Sequence, residues 1–288
     1  MALWSRARRE TMTENPPTPA AARQPVPLDF LGAFKFLFQD VNALNNILIG
    51  AVMNFIPIIG PIVLMGWHCE IIQRLVKGHP KPIPKLDFND FLYFLGRGVA
   101  PFVVTLIATL PMTLIVMVLM FAGMFGAALL GSALRLDEPG KEFLLFGGMG
   151  LGFLLFFLLM IFFNIVVSAA LVRAELTEDI GKSLDLGRVW RFARATWKDF
   201  LVAYLVFIPV AMIVMFAGML VVFVGIYAAI ILINVTYVNL RWQVYMRYLA
   251  RGGEEIPIQT KSGPLPSETP RPAAPPPPAP APSPAPQA

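Results

Sequence analysis

Four stretches of this 288-residue chain contain no Asp, Glu, Lys, Arg or His: Val41–Trp67, Val99–Leu134, Phe143–Val172 and Phe200–Leu240, 134 residues in all. About 20 apolar helical residues cross the hydrocarbon core of a bilayer. Blocks of this length are therefore expected to be membrane-spanning helices. The expected fold class is all-α, a polytopic helical membrane protein with disordered termini. Charged residues are only 14% of the chain against 57% hydrophobic, and they crowd into the segments between the blocks.

Block length subdivides the fold. Forty-one residues of helix would be about 61 Å long, twice the hydrocarbon thickness. Phe200–Leu240 must therefore turn back between Gly218 and Gly225, giving spans near 200–220 and 225–247. Val99–Leu134 holds one span, about 99–122, and its excess, Ala122–Leu134, extends beyond the membrane or lies at its surface. Phe143–Val172 fits one tilted span, about 146–172. These four full spans follow a first segment, 43–75, that carries Pro57, Gly60 and Pro61 in the run IPIIGPI. Proline removes a backbone donor and disfavours helix at the preceding residue. The segment either crosses as one kinked helix or dips in and returns as two half-helices. With charges far from the membrane set aside, the re-entrant form places 16 Lys and Arg on one side against 2, and the crossing form 14 against 4. The excess of basic residues marks the cytoplasmic side. The balance favours the re-entrant form, and both forms put 77–97, 173–199 and the C-terminal tail in the cytoplasm, with the protein in the cell (inner) membrane.

The flanks are different in kind. Residues 1–27 read as a disordered arm. Their basic start is followed by no apolar h-region, so no cleavable signal peptide is expected, and Met12 is an alternative start. Residues 28–40, 88–97 and 183–199 are amphipathic and are expected as interfacial helices. Residues 249–288, rich in Pro and Ala, are expected to be a disordered tail. A single cysteine, Cys69, excludes an intrachain disulfide. The net charge of +5 sits beside apolar blocks, where anionic lipid rather than nucleic acid is the expected partner. An internal echo is also present: Asp90-Phe91-Leu92 with Phe121-Ala122-Gly123-Met124, and Asp199-Phe200-Leu201 with Phe216-Ala217-Gly218-Met219. It suggests two helical hairpins, and Asn164 and Asn234 sit centrally in the second helix of each.

Polar residues within apolar segments are costly and mark candidate sites. Here they are Asn54, Asn164 and Asn234, with His68 and Glu70 at the end of the first block. Each asparagine can equally bond a neighbouring helix. Glu70 and Arg74 are four apart and can pair on one helix face. On the amphipathic stretch before Phe200, Arg188, Arg191, Arg194 and Lys198 are candidate anionic-lipid contacts, with Trp190 and Trp197 among the apolar positions. Gly147, Gly148, Gly150 and Gly152 lie inside a span and read as close helix packing. No nucleophile motif, phosphate loop, carboxylate pair or metal-ligand spacing stands out, so neither cofactor nor catalysis is expected.

The run Asn46–Gly66 (NILIGAVMNFIPIIGPIVLMG), then Gly78, Ile83-Pro84-Lys85-Leu86-Asp87, Phe94, Gly96 and Gly98, resembles the prokaryotic membrane family catalogued as domain of unknown function 4013. Leu184–Trp190 resembles its second cytoplasmic connection. Ile83 and Leu86 replace the family's Leu and Trp. The resemblance covers about 28–248 and implies a fold, not an activity. Two functions fit: a non-enzymatic membrane scaffold or bilayer-associated factor, with glycines that would also suit a homo-oligomer, or a transporter or channel subunit using the broken first helix. A cavity lined by the three asparagines would favour the second, and tight helix contacts at them the first.

Overall fold

The computed structural model describes residues 27–135, 137–221, 224–259 and 265–268. The expected N-terminal arm and most of the tail lie outside the described residues. Every regular element among the described residues is helical: α1 (Phe30–Lys35), α2 (Ala43–Asn54), α3 (Ile59–Val76), α4 (Phe91–Ala133), α5 (Glu138–Thr177), α6 (Ile180–Ser183), α7 (Leu186–Leu220) and α8 (Val224–Ala250). Short 3-10 turns cover Leu37–Gln39, Phe88–Asp90 and Pro266–Glu268.

Aspartate sets several of the helix starts. The side chains of Asp29, Asp137, Asp179 and Asp185 accept backbone N–H groups of the first turns of α1, α5, α6 and α7, which would otherwise lack partners. Two long antiparallel hairpins follow from these stops and starts. One is α4–α5, turning near Arg135, and the other is α7–α8, turning just after Leu220. Asp90 precedes α4, whereas Asp199 lies in the middle of α7. The two halves of the internal echo are thus not structurally equivalent at that residue.

Two expected interfacial helices are not separate elements. Residues 88–97 form a 3-10 turn and then the first turns of α4, and 186–199 form the first half of α7. The reason is continuity of helical pattern: nothing between Phe91 and Val99, or between Arg188 and Phe200, stops a helix. Pro101, Pro111 and Pro209 are absorbed within helices. At Pro101 the missing N–H frees the carbonyl of Arg97, and the Cys69 thiol lies 3.9 Å from that oxygen.

The break in the first block falls at Phe55–Ile58. Pro57 lies in it, and Ile58 takes a left-handed φ of 66°, a conformation that costs a β-branched residue on the order of 1–3 kcal/mol. Pro61 instead sits in the first turn of α3, where its missing donor is not needed. Contacts of both half-helices can be followed in register. Near its start α2 meets the segment after α3: the Asn46 carboxamide accepts from the Leu86 N–H at 2.7 Å. Further along, Gly50 lies against Ile231, and the Phe55 ring is 4.1 Å from that of Tyr227. Helix α3 packs antiparallel on α4, Ile62 beside Gly98 and Gly66 beside Phe94.

That α3–α4 seam is set by glycine. A Cβ at Gly66 would fall on the Phe94 carbonyl oxygen, and one at Gly98 on the Ile62 carbonyl oxygen. Small residues allow backbones this close. Gly147, Gly150 and Gly152, expected at a packing seam, have no neighbouring atoms where a Cβ would stand.

The packed centre contains Trp67, Ile71, Phe94, Leu176, Phe200 and Tyr245. The Trp67 indole donates to the Pro84 carbonyl at 3.0 Å. Elsewhere α4 and α5 expose apolar side chains on most of their surface, among them Leu106, Leu114, Val118, Phe146 and Phe153. Only 6% of the most apolar stretch of α4 is buried against protein. A helix apolar all round and unburied is compatible with a lipid surrounding. Three helices, Phe88–Gly123, Glu138–Thr177 and Leu186–Leu220, are long and apolar enough to cross a membrane.

The start of the tail is not free. Ile256 and Leu265 are buried, the Gln259 N–H donates to the Leu176 carbonyl at 3.0 Å, and the Ser267 N–H donates to Asp90 at 3.0 Å. The expectation of a disordered 249–288 is corrected for residues 249–259 and 265–268, because two apolar residues within this polar segment reach the core.

Gly98→Ala should destabilise the protein by about 1–3 kcal/mol through overpacking against backbone that cannot yield. Gly96→Ala, two residues away with open space at its Cβ position, should stay within about 0.5 kcal/mol of the parent. Thermal unfolding of the two variants in detergent checks the difference.

Candidate functional site: a buried charge layer

At one end of the bundle the ends of four helices carry a closed set of ions. Arg97, in the second turn of α4, is fully buried. Its Nε donates to Glu178 Oε1 at 2.7 Å, one Nη to Gln73 at 2.8 Å, and the other to the Tyr93 hydroxyl at 2.9 Å and to Glu70. Arg74, one turn after Glu70 on α3, donates to Glu70 at 2.6 Å and grips both oxygens of Glu268 at 2.8 and 3.1 Å. Gln73 also donates to Glu178 and to the Glu175 carbonyl, each at 2.9 Å. On the other flank Arg241 of α8 donates to Glu175 at 2.6 Å. Three buried guanidinium groups thus face Glu70, Glu175 and Glu178. Asp199 of α7 pairs with Arg247 at 3.2 Å and with Arg251.

A charge in a low-dielectric interior is tolerated when it is paired and hydrogen-bonded. Apart from Glu70 and Arg74 on one helix, the ion pairs join residues 27 to 194 positions apart, so they fix which helix ends meet. The arrangement braces the helix ends against one another. Its carboxylates are engaged by cations, and among the described residues no group of three His, Cys, Asp or Glu could hold a metal. The Nε2 of buried His68 and one oxygen of Glu175 have no hydrogen-bond partner among the described residues. At the exposed helix starts, the Asn89 backbone N–H and then the Lys85 ammonium hold the Asp87 carboxyl below its ordinary value. The Arg188 backbone N–H does the same for Asp185.

The residues singled out from sequence fall in three places. Glu70 and Arg74 join the layer, and His68 lies buried beside it on α3. Asn54 and Asn164 instead bond within helices or between them. Asn54 donates to the Gly50 carbonyl of its own helix at 3.2 Å. Asn164 donates to the Met160 carbonyl at 2.8 Å and accepts from the Tyr204 hydroxyl at 2.7 Å. The Tyr204 ring is 5.4 Å from that of Tyr237, whose hydroxyl meets Ser168 at 2.6 Å, so a polar thread crosses α5, α7 and α8. Asn234 is half-buried on α8, and among the described residues no hydrogen bond joins it to the other two. Of the basic residues on α7, Arg188 faces Asp185 at 3.3 Å and Glu254 at 3.9 Å, and Arg191 faces Glu254 at 3.6 Å. Lys198 lies over the Trp197 ring at 5.6 Å, and Arg194 is exposed.

Arg97, Glu175, Glu178, Arg241, Asp199 and Glu268 were not apparent as site residues from sequence. All but Glu268 and Glu178 are within three residues of the edge of a charge-free block, and that position was the available signal. What could not be read was that five block edges converge on one level.

Arg97→Met should destabilise the fold by about 3–5 kcal/mol, because it leaves Glu178 buried without its cation. Arg188→Met, at an exposed pair, should change stability by less than about 1 kcal/mol. Thermal unfolding in detergent separates the two.

No curated protein and no solved structure matches the chain. Residues 49–238 match a family described as Protein of unknown function (DUF4013). That range begins in α2, includes Gly66 and Gly98 of the glycine seam, and ends in α8 before Arg241. The matched segment is about two thirds of the sequence, and the chain belongs to this DUF4013 family.

Proposed function

We propose that the chain is a multi-pass integral membrane protein that acts as a non-enzymatic scaffold or bilayer-associated factor. Its polar groups support this. Asn54 and Asn164, the deepest candidates for a solute site, are occupied by helix-to-helix and same-helix hydrogen bonds. The charged groups nearby are closed into the bracing layer. Groups already satisfied by the fold are not held open for a substrate.

In this reading α4, α5, α7 and α8 cross the membrane, α8 carrying no charge between Val224 and Leu240. Segments 77–97 and 173–199, the charge layer and the docked start of the tail face the cytoplasm, in the inner membrane. The first segment is re-entrant. Supporting this are Asn46 and Asn45 at the start of α2, which bond the Pro84–Leu86 segment that follows α3. Beside them the Asp29 N–H donates to Gln243 at 2.8 Å. Such contacts bring the beginning of α2 and the end of α3 to one end of the bundle. Backbone out of helix at depth is tolerated where protein covers it, and Phe55 packs on Tyr227. The broken helix with its strained Ile58 is also the feature that favours a transporter or channel subunit as the second reading.

Single cysteines at Lys35, Lys85 and Lys141, placed in a Cys69→Ser chain, test the arrangement with a membrane-impermeant maleimide. Lys35→Cys and Lys85→Cys should react from the same side and Lys141→Cys from the other. Labelling of Lys35→Cys and Lys85→Cys from opposite faces would rule out the re-entrant form. Solute flux into liposomes that is abolished by Asn54→Ala would favour transport over scaffolding.

A further inference from the structure

We propose that the crossing of α5 and α7 is a binding groove for one anionic glycerophospholipid, an acyl chain lying in the groove and the phosphate on Arg194. A groove of about 210 Å³ is lined by Phe162, Ile165 and Val166 of α5 and by Trp190, Arg194 and Trp197 of α7. Its wall is apolar apart from Arg194. Phe162, Trp190 and Trp197 are 48%, 52% and 45% exposed, so large rings stand open to the surroundings instead of closing the gap. The Phe162 and Trp190 rings meet edge-on at 6.3 Å and form one end of the groove.

Depth and charge identify the occupant. Phe162–Val166 lies six to ten residues inside the charge-free block of α5, which ends at Val172. At 1.5 Å per residue that is about 9–15 Å below the charged edge, within hydrocarbon. The facing stretch of α7 carries Arg191, Arg194 and Lys198 and has not yet entered its own charge-free block, which begins at Phe200. The groove therefore has an acyl-depth floor and a headgroup-level cationic rim. Tryptophan and arginine on a helix of this kind suit that boundary. Arg188 and Arg191 are partly neutralised by Asp185 and Glu254. Arg194 makes no ion pair among the described residues and is the rim cation left to meet a phosphate. A soluble phosphate would leave the rings exposed, and a zwitterionic lipid would bring a second cation to the rim.

The inference rests on the membrane reading above, and the test separates the two. The full chain is purified in detergent with equimolar phosphatidylglycerol and phosphatidylcholine, and bound lipids are counted by native mass spectrometry. The parent should hold at least one phosphatidylglycerol in preference. Arg194→Gln should lower the phosphatidylglycerol-to-phosphatidylcholine ratio about fivefold, the effect of one interfacial cation, while Lys141→Gln at the opposite end should leave it unchanged. Val166→Trp, which fills the groove, should remove one bound lipid of either kind. Equal ratios for Arg194→Gln and Lys141→Gln, or displacement of the lipid by millimolar glycerol phosphate, would overturn the proposal. A chain that incorporates into vesicles of these lipids but shows no preference defeats the groove alone; one that does not incorporate defeats the membrane reading.

Discussion

The fold depends on the cost of a charge in hydrocarbon. Because an unpaired ion is strongly disfavoured at membrane depth, ionisable residues are pushed to the edges of the four apolar blocks. Once there they still have to be satisfied, since the helix ends pack tightly enough to exclude water from Arg97, Glu175 and Arg241. The result is a layer in which Glu70, Arg97, Glu178, Glu175 and Arg241 partner across α3, α4, α5 and α8. Apolar surface alone cannot do this work. Leucine against lipid and leucine against leucine are nearly equivalent, so helix association in a membrane draws on close packing and polar contacts.

The same limitation explains the glycine seam. Gly66 and Gly98 bring the backbones of α3 and α4 together, and this places Glu70 and Gln73 within reach of Arg97. Close packing and charge pairing are thus parts of one device. The seam sets the separation of the helices, and the ions set their register. Beyond this braced end α4 and α5 continue as a mostly unburied apolar hairpin, long and apolar enough to cross a membrane.

Much of the architecture was legible in the residues. Charge-free runs longer than one span require helices, and a 41-residue run must turn, which it does after Leu220 near Gly218 and Gly225. Pro57 marked the break, and the spacing of Glu70 and Arg74 their pair. Helix boundaries were less legible. Amphipathic pattern predicts helix at 88–97 and 183–199 but not where it ends: a change from amphipathic to apolar character does not interrupt backbone hydrogen bonding, so α4 and α7 run straight through. The glycine cluster at 147–152 was read as a packing seam, whereas the seam lies at Gly66 and Gly98. Glycine permits close approach without requiring it, and only the partner helix decides where it occurs.

Composition along the chain determined that this is a helical protein with segments for a bilayer, where its helices turn and where its charges must lie, because the transfer cost of polar groups acts residue by residue. Tertiary structure alone decided which of those charges meet. Apart from Tyr93 on its own helix, the partners of Arg97 are 24 to 81 residues away on other segments, and no local pattern encodes a distance of that kind. It also decided that Asn164 bonds Tyr204 instead of lining a cavity, and that the rings of Phe162, Trp190 and Trp197 share one groove, since both follow from how α5 and α7 cross.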